Sequence, residues 1–510
     1  MKKLALAAVS LCIGVFASAQ VQVRIHEKAQ NQPIIPADIY GQFSEHLGRC
    51  IYEGIWVGPD SNIPNEDGYR TDVLNALRDL KVPVMRWPGG CFADDYHWMD
   101  GIGPQSERPR ILNSNWGGTL EDNSFGTHEF LNLCEKLGIE PYISGNVGSG
   151  TVEEMSKWIE YMTAQSGSMA ELRQRNGRQE PWHVKFFGIG NEAWGCGGNM
   201  SADYYSDVYN RYATYCHDYT GNTLYKIASG ASDYDYNWTK TLMSKSLKHM
   251  AGISLHYYSV MNWDHKGSAI NFTADEYYDI LAKSVEIDQV LKNHEDIMDV
   301  YDPQRRVGLL LDEWGTWYDV EPGTNPGHLF QQNTMRDAMV AAMCLNIFNK
   351  HTARLKMANI AQVVNVLQAM ILTDGPKMIL TPTYHVFRMY NVHQDAVSIP
   401  VDYVAGEIAT QSGRAMPDLS ISASSKDGKI HVTIANPLLY ESKRLMLSFD
   451  DFKPVNVSGE MLRAKPISAH NEFDKAPAVA PAPFKDKYKI TRGSIALEVP
   501  AATVLVLEIE

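Results

Sequence analysis

The sequence predicts an α/β protein, a (β/α)8 TIM barrel with an additional antiparallel β-sandwich domain. From residue 39 to about residue 394, short apolar runs alternate with longer amphipathic stretches, as in repeated β-α units. After about residue 401 the helical period ends and apolar and polar residues alternate, which is typical of half-buried strands. An open doubly wound sheet would carry a glycine-rich phosphate turn after its first strand, and GNVGSG at 145–150 has neither that spacing nor that place.

Eight apolar runs are the predicted barrel strands. Amphipathic stretches such as RTDVLNALRDLK and TVEEMSKWIEYMTAQ lie between them and predict helices. In chain order, the predicted strands are 39–43, 82–87, 140–146, 184–190, 225–230, 252–258, 307–314 and 361–367. Eight parallel strands, each followed by a helix, close into a barrel.

The predicted boundaries divide the chain into four segments. Residues 1–19, MKKLALAAVSLCIGVFASA, combine two lysines, an apolar run and small final residues, which predicts a secretory signal and an exported protein, periplasmic or secreted. The apolar run is shorter than the roughly 20 residues that span a membrane, so no membrane insertion is expected. Residues 20–37 alternate and predict a strand that joins the sandwich, residues 38–395 the catalytic barrel, and residues 396–510 the C-terminal sandwich.

Composition argues against several kinds of partner. The formal net charge is −14 and Lys and Arg form no cluster, so a nucleic-acid partner is not expected. The 11 Trp and 26 Tyr residues suit a carbohydrate ligand, although core packing explains any one of them equally well. The sequence has neither a C-x-x-C pair nor an H-E-x-x-H helix, so we expect no metal and no cofactor. The six cysteines after residue 19 allow 15 pairings, which the sequence leaves open.

The residues best suited to chemistry follow the predicted strands. In a TIM barrel, the C-terminal ends of the strands and the loops after them face the active site. In chain order, these positions hold Glu45, Arg86, Cys91, Asn146, Asn191, Glu192, His256, Tyr258, Glu313, Gln362 and Asn365. Each residue alone has a structural explanation, such as an ion pair or a satisfied core histidine. Their convergence on one rim favours an active site.

Two carboxylates across a barrel mouth suit the cleavage of a glycosidic bond. One donates a proton to the leaving oxygen, and the other attacks the anomeric carbon when the pair lies about 5–5.5 Å apart. Glu192 and Glu313 follow strands on opposite sides of the predicted barrel, so they can face each other. We expect Asn191 to bind the hydroxyl next to the reacting carbon and Tyr258 to hold Glu313 ionised.

Six segments in order resemble the α-L-arabinofuranosidases of glycoside hydrolase family 51: IYGQFSEHLGRCIYEGIW, VPVMRWPGGCFADDYHWMDGIGP, GIGNEAWGCGGNM, SLHYYS, LLLDEWGTWY and MANIAQVVNVLQAMILT. The resemblance covers about residues 39 to 373. It implies a retaining, exo-acting hydrolase without a cofactor. Such an enzyme removes terminal α-L-arabinofuranosyl residues from plant polysaccharides or oligosaccharides, and the resemblance also implies a homo-oligomer.

By the same resemblance, Glu192 corresponds to the acid/base and Glu313 to the nucleophile. The residues implied to line the arabinose subsite are Glu45, Arg86, Cys91, Asn191, His256, Tyr258 and Gln362. Cys91 stands where some members of the family have Asn.

Two other functions remain open from the sequence. An endo-acting β-glycanase of the same barrel type would cleave polysaccharide chains without releasing free arabinose. A non-catalytic carbohydrate-binding protein would keep the aromatic residues but would have no need for both Glu192 and Glu313. The natural polysaccharide is also open, because linkage preference depends on loops such as 60–68 and 319–328.

Overall fold

A computed structural model of the chain describes residues 20–219, 221–485 and 488–510. In these residues eight parallel strands form a closed barrel in which neighbours in the chain are neighbours in space, so the predicted fold class is confirmed. The barrel strands are β1 (Gly41–Phe43), β2 (Val84–Trp87), β3 (Glu140–Gly145), β4 (Phe186–Ile189), β5 (Tyr225–Ser232), β6 (Gly252–Ser259), β7 (Gly308–Thr316) and β8 (Leu355–Ala361). The predicted signal at residues 1–19 lies outside the described residues.

Helices surround the barrel, and most of them bury one apolar face. They are α1 (Thr71–Leu80), α2 (Thr127–Leu137), α3 (Val152–Thr163), α4 (Ser168–Arg175), α5 (Ala202–Tyr215), α6 (Tyr236–Ser246), α7 (Ala274–Val285), α8 (Ile287–Tyr301), α9 (Met335–Phe348) and α10 (Pro382–Tyr390). Several begin at a side-chain cap, as where Thr151 accepts from the backbone N–H of Glu154 and Ser201 from that of Tyr204. Among the described residues, every helix falls short of the length and apolar character that crossing a bilayer requires.

The eighth strand differs from its prediction. The sequence predicts it at 361–367, whereas β8 ends at Ala361 and the apolar run after it is a buried loop. Strand β8 was not predicted at its actual position because Lys356 and Asn359 interrupt its apolar pattern. Asn359 is buried, and its amide nitrogen donates a hydrogen bond to the backbone oxygen of Gln42 on β1, whereas its Oδ1 lacks a partner among the described residues.

The residues after the barrel form two further sheets around a second apolar core. The six-stranded sheet has the order Val397–Ile399, Ser420–Lys426, Lys429–Asn436, Thr503–Ile509, Val457–Leu462 and Ala482–Pro483. The five-stranded sheet has the order Val401–Tyr403, Val21–Ile25, Lys443–Phe449, Ser494–Val499 and Tyr488–Thr491. The N-terminal strand Val21–Ile25 pairs in parallel with Lys443–Phe449, so this sheet is not antiparallel throughout.

Helix α9 joins the barrel to the second domain. All of its residues are buried, because one side faces the barrel and the other faces the six-stranded sheet. Asn346 on this helix donates to the Ser420 hydroxyl and accepts from the Thr433 hydroxyl. These contacts fix the barrel against the sheet.

Candidate active site

Glu45, directly after β1, is a buried carboxylate that accepts hydrogen bonds at both oxygens. Its Oε1 accepts from the backbone N–H groups of Gly90 and Phe92 and from the Trp116 indole, at 2.9, 3.2 and 2.9 Å. Its Oε2 accepts from the Gln362 amide at 2.8 Å. Burial, with a smaller contribution from the charge of Glu313, raises the pKa of Glu45 to about 7. Glu45 therefore gains or loses a proton near neutral pH.

Arg86, on β2, holds the carboxylate of Glu313 at the barrel mouth. Its Nη1 donates to Glu313 Oε1 at 2.8 Å, and its Nη2 donates to Asn191 Oδ1 at 2.6 Å. The Tyr258 hydroxyl donates to the other oxygen of Glu313 at 2.8 Å. Both oxygens of Glu313 thus accept hydrogen bonds, and one of the donors is a cation, so the contact with Arg86 is charge-assisted.

His256, on β6, lies between three carboxylates. Its Nδ1 is 2.8 Å from Glu192 Oε1 and 3.5 Å from Glu313 Oε2, and its Nε2 forms an ion-pair contact of 3.2 Å with Asp312. Burial opposes protonation of the ring, but Glu313, Asp312 and Glu192 outweigh it and raise the pKa of His256 to about 10. The ring therefore carries a proton on both nitrogens at neutral pH.

Glu192 lies after β4 in less polar surroundings than Glu313. Its φ is 40°, in the left-handed region, where non-glycine residues are uncommon and tend to occur at functional sites. Cys91 and Cys196 form a disulfide, and their sulfurs lie 3.9 and 3.5 Å from Glu192 Oε2. Because disulfide sulfurs carry no hydrogen, neither contact is a hydrogen bond. Burial raises the pKa of Glu192, the His256 contact partly offsets this rise, and the charge of Glu313 adds to it.

These pKa shifts set the charges of several side chains of the site. Arg86 and protonated His256 supply two positive charges. Burial opposes ionisation of Asp312, but Arg86, His256 and the Tyr142 hydroxyl together lower its pKa, so Asp312 is ionised. Asp312 therefore offsets one of the two cations, and the carboxylates of the site with raised pKa values are Glu45, Asp94 and Glu192.

Backbone contacts set the position of the rim loops. A Cβ added to Gly90 would lie 2.7 Å from Glu313 Oε1, so only glycine lets the loop after β2 approach the carboxylate this closely. Asp94 in the same loop accepts from the backbone N–H groups of Val147, Gly148 and Asn191. One buried carboxylate therefore ties together the loops that follow β2, β3 and β4.

The structure brings most of the predicted site residues together at the barrel mouth. One set of contacts links Arg86, Cys91, Asn191, Glu192, His256, Tyr258 and Glu313, and a separate hydrogen bond joins Glu45 to Gln362. Two other rim residues have different tasks. Asn146 caps the loop after β3 by accepting from the backbone of Ser149 and Gly150, and Asn365 bonds to Arg49 and Thr373.

Several residues of the site were not predicted from the sequence. Asp312 directly precedes Glu313, and this neighbouring position is the signal that could have revealed it. Trp116 and Asp94 lie in loops without periodicity, and nothing in their sequence surroundings indicates a contact with Glu45 or Asn191. The pairing of Cys91 with Cys196 joins two loops 105 residues apart, which spacing alone does not predict.

The geometry of the two glutamates defines the class of enzyme. One carboxylate oxygen of Glu192, one of Glu313 and the His256 nitrogen between them all lie within 4.8 Å of one another. This separation fits a retaining rather than an inverting glycoside hydrolase, since inverting enzymes keep their carboxyl groups about 6.5–9.5 Å apart. A TIM barrel with this pair at the C-terminal ends of β4 and β7 is the architecture of a retaining glycoside hydrolase.

Comparisons with known proteins identify the family. Residues 76–268 match the model of the α-L-arabinofuranosidase 1 domain, and residues 312–502 match that of the α-L-arabinofuranosidase C-terminal domain. A Bacteroides ovatus protein named intracellular exo-alpha-L-arabinofuranosidase is 56% identical over 512 residues, which cover 100% of this chain and 99% of that protein. The chain belongs to the α-L-arabinofuranosidases of glycoside hydrolase family 51 and is an exo-acting α-L-arabinofuranosidase.

Solved structures agree with this assignment. The GH51 arabinofuranosidase from Xanthomonas axonopodis pv. citri superposes with a TM-score of 0.94 at 43% identity, over 96% of this chain and 100% of that chain. An α-L-arabinofuranosidase from Thermotoga maritima, solved as an arabinose complex, gives a TM-score of 0.84 at 29% identity, over 96% and 100% of the two chains. These relatives support the exo-acting enzyme over the endo-acting and non-catalytic alternatives.

The prediction of export is wrong. The Bacteroides ovatus relative is named an intracellular enzyme, and its alignment spans all of this chain, including the N-terminal segment. A lysine-rich start, an apolar run and small residues therefore do not establish a secretory signal here. An apolar run of this length meets the hydrophobic requirement of a signal without proving that the segment is used as one.

Proposed function

We propose that Glu313 is the nucleophile and Glu192 the acid/base of a double displacement that releases terminal α-L-arabinofuranosyl residues. The contrast between the environments of the two carboxylates carries this proposal. Glu313 accepts from Arg86 and Tyr258, which favours its anion, whereas burial raises the pKa of Glu192 and favours its acid form. A nucleophile must be ionised and a general acid must be protonated, so the two tasks fall to different residues.

In the first step, Glu313 attacks the anomeric carbon while Glu192 protonates the departing oxygen. In the second step, Glu192, now ionised, takes a proton from water, which attacks the arabinosyl-enzyme and restores the starting configuration. Protonated His256 contacts both carboxylates and lowers the repulsion between them when both are ionised.

The proposed arabinose subsite surrounds this pair. Gln362 has a buried Oε1 that lacks a partner among the described residues, so it is free to accept from a sugar hydroxyl. Asn191 uses its Oδ1 for Arg86 and one amide hydrogen for a long contact of 3.9 Å to Cys196 Sγ, which leaves its other amide hydrogen for the hydroxyl beside the anomeric carbon. Glu45, with a pKa of about 7, is suited to donate or accept at a hydroxyl. Arg86, Tyr258 and His256 position the carboxylates, and Cys91 lines the acid/base side.

The natural substrates are proposed to be arabinose-decorated plant polysaccharides or their oligosaccharides, and the active form a homo-oligomer. Loop 319–328 bears on linkage preference, because Asn325 donates to the backbone oxygen of Gly117, next to the Trp116 indole that holds Glu45. Product analysis on arabinan, arabinoxylan and arabinogalactan tests the substrate. Light scattering of the eluting protein tests the oligomer, and a monomer mass would contradict it.

Truncation of each glutamate tests the proposed roles. In Glu192→Ala, an aryl arabinofuranoside with a good leaving group needs little proton donation, so the arabinosyl-enzyme should still form while its hydrolysis slows. Azide needs no general base, so it should restore turnover and give an arabinosyl azide with the configuration of the substrate. Glu313→Ala removes the attacking group, and retaining turnover should disappear for every substrate.

Glu321→Ala is the matched control, because this glutamate lies in loop 319–328 and its carboxylate accepts only from the backbone N–H of Gln332 in the bonds described for it. It should keep the wild-type response to azide. Retained azide product from Glu313→Ala, or inverted product from the wild type, would contradict the assignment.

A further inference from the structure

The Cys91–Cys196 disulfide places two sulfur atoms beside the acid/base. It joins the loop after β2 to the loop after β4, and its sulfurs lie 3.9 and 3.5 Å from Glu192 Oε2. Cys196 is exposed, whereas Cys50, Cys134, Cys216 and Cys344 are buried free thiols. A reductant can therefore reach this pair from solvent.

The same three side chains have the spacing of a soft-metal site. One ligand atom from each of Cys91, Glu192 and Cys196 lies within 4.8 Å of the others. In a tetrahedral site, Zn–S and Zn–O bonds of about 2.3 and 2.1 Å put a sulfur and an oxygen ligand about 3.6 Å apart. The two observed sulfur–oxygen distances already bracket this value. Only the sulfurs must move, from bonding distance to about 3.8 Å apart.

We propose that, when the disulfide is reduced, Cys91, Cys196 and Glu192 bind one zinc-like divalent ion. The bound ion prevents Glu192 from transferring a proton to the leaving group. Two thiolates and one carboxylate select Zn²⁺, Co²⁺ or Cd²⁺ over Mg²⁺ and Ca²⁺, whose preferred ligands are oxygens. A water molecule completes the tetrahedron. The site is inhibitory, and arabinoside hydrolysis by the proposed mechanism needs no metal.

The chemistry balances with a dithiol as the reductant. The dithiol gives two electrons and two protons to the disulfide, so it becomes a cyclic disulfide while Cys91 and Cys196 become thiols. The metal ion then displaces one proton from each thiol and the proton of the Glu192 carboxyl group, and the buffer takes all three protons. Thiol reductants maintain such pairs as thiols inside cells, so the reduced form is the one that meets intracellular zinc.

Metal binding at this place removes the function of Glu192. The ion bonds Oε2, while Oε1 remains against His256 at 2.8 Å. Neither oxygen is then free to carry the proton for the leaving group. This part of the inference rests on the proposed role of Glu192, whereas the metal site itself does not.

Cobalt binding to the full-length protein tests the site without any activity measurement. The protein is reduced with a phosphine, freed of it under inert gas and titrated with Co²⁺. We expect one equivalent to give a sulfur-to-cobalt charge-transfer band that Zn²⁺ abolishes. Unreduced protein, and reduced protein whose Cys91 and Cys196 are alkylated, should give no band. A reduced protein without the band, or an equal band without reduction, would overturn the proposal.

Matched variants assign the ligands. Cys196→Ser should lose the band, and Cys344→Ser should keep it, because Cys344 lies away from the site and its hydrogen bond to the Ser284 oxygen suits a serine. A band that survives in Cys196→Ser would also overturn the site. The alkylation arm gives the same answer if this variant folds poorly.

Turnover separates the metal site from the proposed function. With a substrate that has a poor leaving group, Zn²⁺ should slow reduced enzyme by about 100-fold or more, as expected for loss of a general acid, and a chelator should restore it. Unreduced enzyme should keep its rate. Cobalt binding without inhibition would refute the proposal that the metal blocks proton transfer by Glu192. Failure of unreduced enzyme to hydrolyse any arabinofuranoside would instead count against the proposed function.

Discussion

At the scale of single residues, His256 sets how strongly Glu192 holds its proton. Burial raises the pKa of Glu192, and the hydrogen bond and charge of His256 lower it. In the proposed mechanism Glu192 reacts in its acid form, so kcat/KM should fall as pH rises through the pKa of Glu192, which lies above the ordinary value of 4.5. His256→Asn removes the cation, so the alkaline limb should move to higher pH. The pH profile with an arabino-oligosaccharide measures the shift.

The control for this prediction is His183→Asn. His183 is exposed and lies beside Glu140, at the opposite end of the barrel from the carboxylates. Its variant should keep the wild-type profile. An alkaline limb that moves to lower pH in His256→Asn would show that His256 does not lower the pKa of Glu192.

Gly90, in the loop after β2, lies close to the carboxylate of Glu313. Its φ is −90° and its ψ is −102°, outside the usual α and β regions, so alanine would strain the backbone and would also place its Cβ 2.7 Å from Glu313 Oε1. The displaced nucleophile should lower kcat by about 100-fold, the cost of a misplacement of about 1 Å. Stopped assays with an aryl arabinofuranoside measure kcat of Gly90→Ala and of the wild type.

Gly195→Ala is the comparison, because its Cβ would meet only the backbone oxygen of Glu192, at an ordinary 3.7 Å. It should stay within a few-fold of wild type. Equal losses in both variants would mean that loop disturbance, and not contact with Glu313, causes the effect.

At the scale of elements, Asp94 couples three loops of the barrel mouth. Both of its oxygens accept hydrogen bonds from backbone N–H groups. In Asp94→Asn the side-chain N–H₂ would replace one of these acceptors and would face a backbone N–H donor, so at least one hydrogen bond would be lost. Asp94→Asn should therefore lower the free energy of unfolding by about 1–3 kcal/mol and also lower kcat, since Asn191 adjoins Glu192. Urea denaturation and kinetics measure both effects.

Asp95→Asn provides the control, since this neighbour is exposed and bonds only side chains, those of Ser114 and Asn115. Its stability and kcat should be nearly unchanged. An Asp94→Asn variant with full stability and activity would show that the loops are held by other contacts.

Elements whose residues follow a period could be predicted from the sequence, and contacts between loops could not. The apolar runs that end in Glu192 and Glu313 are regular enough to place both glutamates at strand ends. Strand β8 was misplaced because the buried Asn359 breaks its pattern and the apolar loop after it resembles a strand. The Cys91–Cys196 pair depends on how the loops after β2 and β4 meet in space, which no local pattern encodes.

At the scale of the whole molecule, the barrel and the second domain share buried contacts through α9. Val504 and Val506 of the last strand belong to the same apolar cluster as the barrel residues. The boundary proposed from the sequence, between residues 395 and 396, thus separates two segments that pack against each other. We expect the chain to unfold as one cooperative unit, although many chains of this length unfold in several steps.

The N-terminal strand provides the test of this coupling. Val23 is fully buried in the core of the sandwich, where it pairs with Tyr403 on one side and Leu447 on the other. Val23→Asp should cost about 4 kcal/mol or more, because it removes buried apolar area and puts a carboxylate among apolar side chains. Gln22→Asp places the same charge on the neighbouring exposed residue and should change stability little.

Urea unfolding is followed by circular dichroism and by loss of arabinofuranosidase activity, which reports on the barrel. Both transitions should move together to lower urea in Val23→Asp. If activity persists beyond the structural transition, the barrel is stable without the sandwich and the shared core does not couple them.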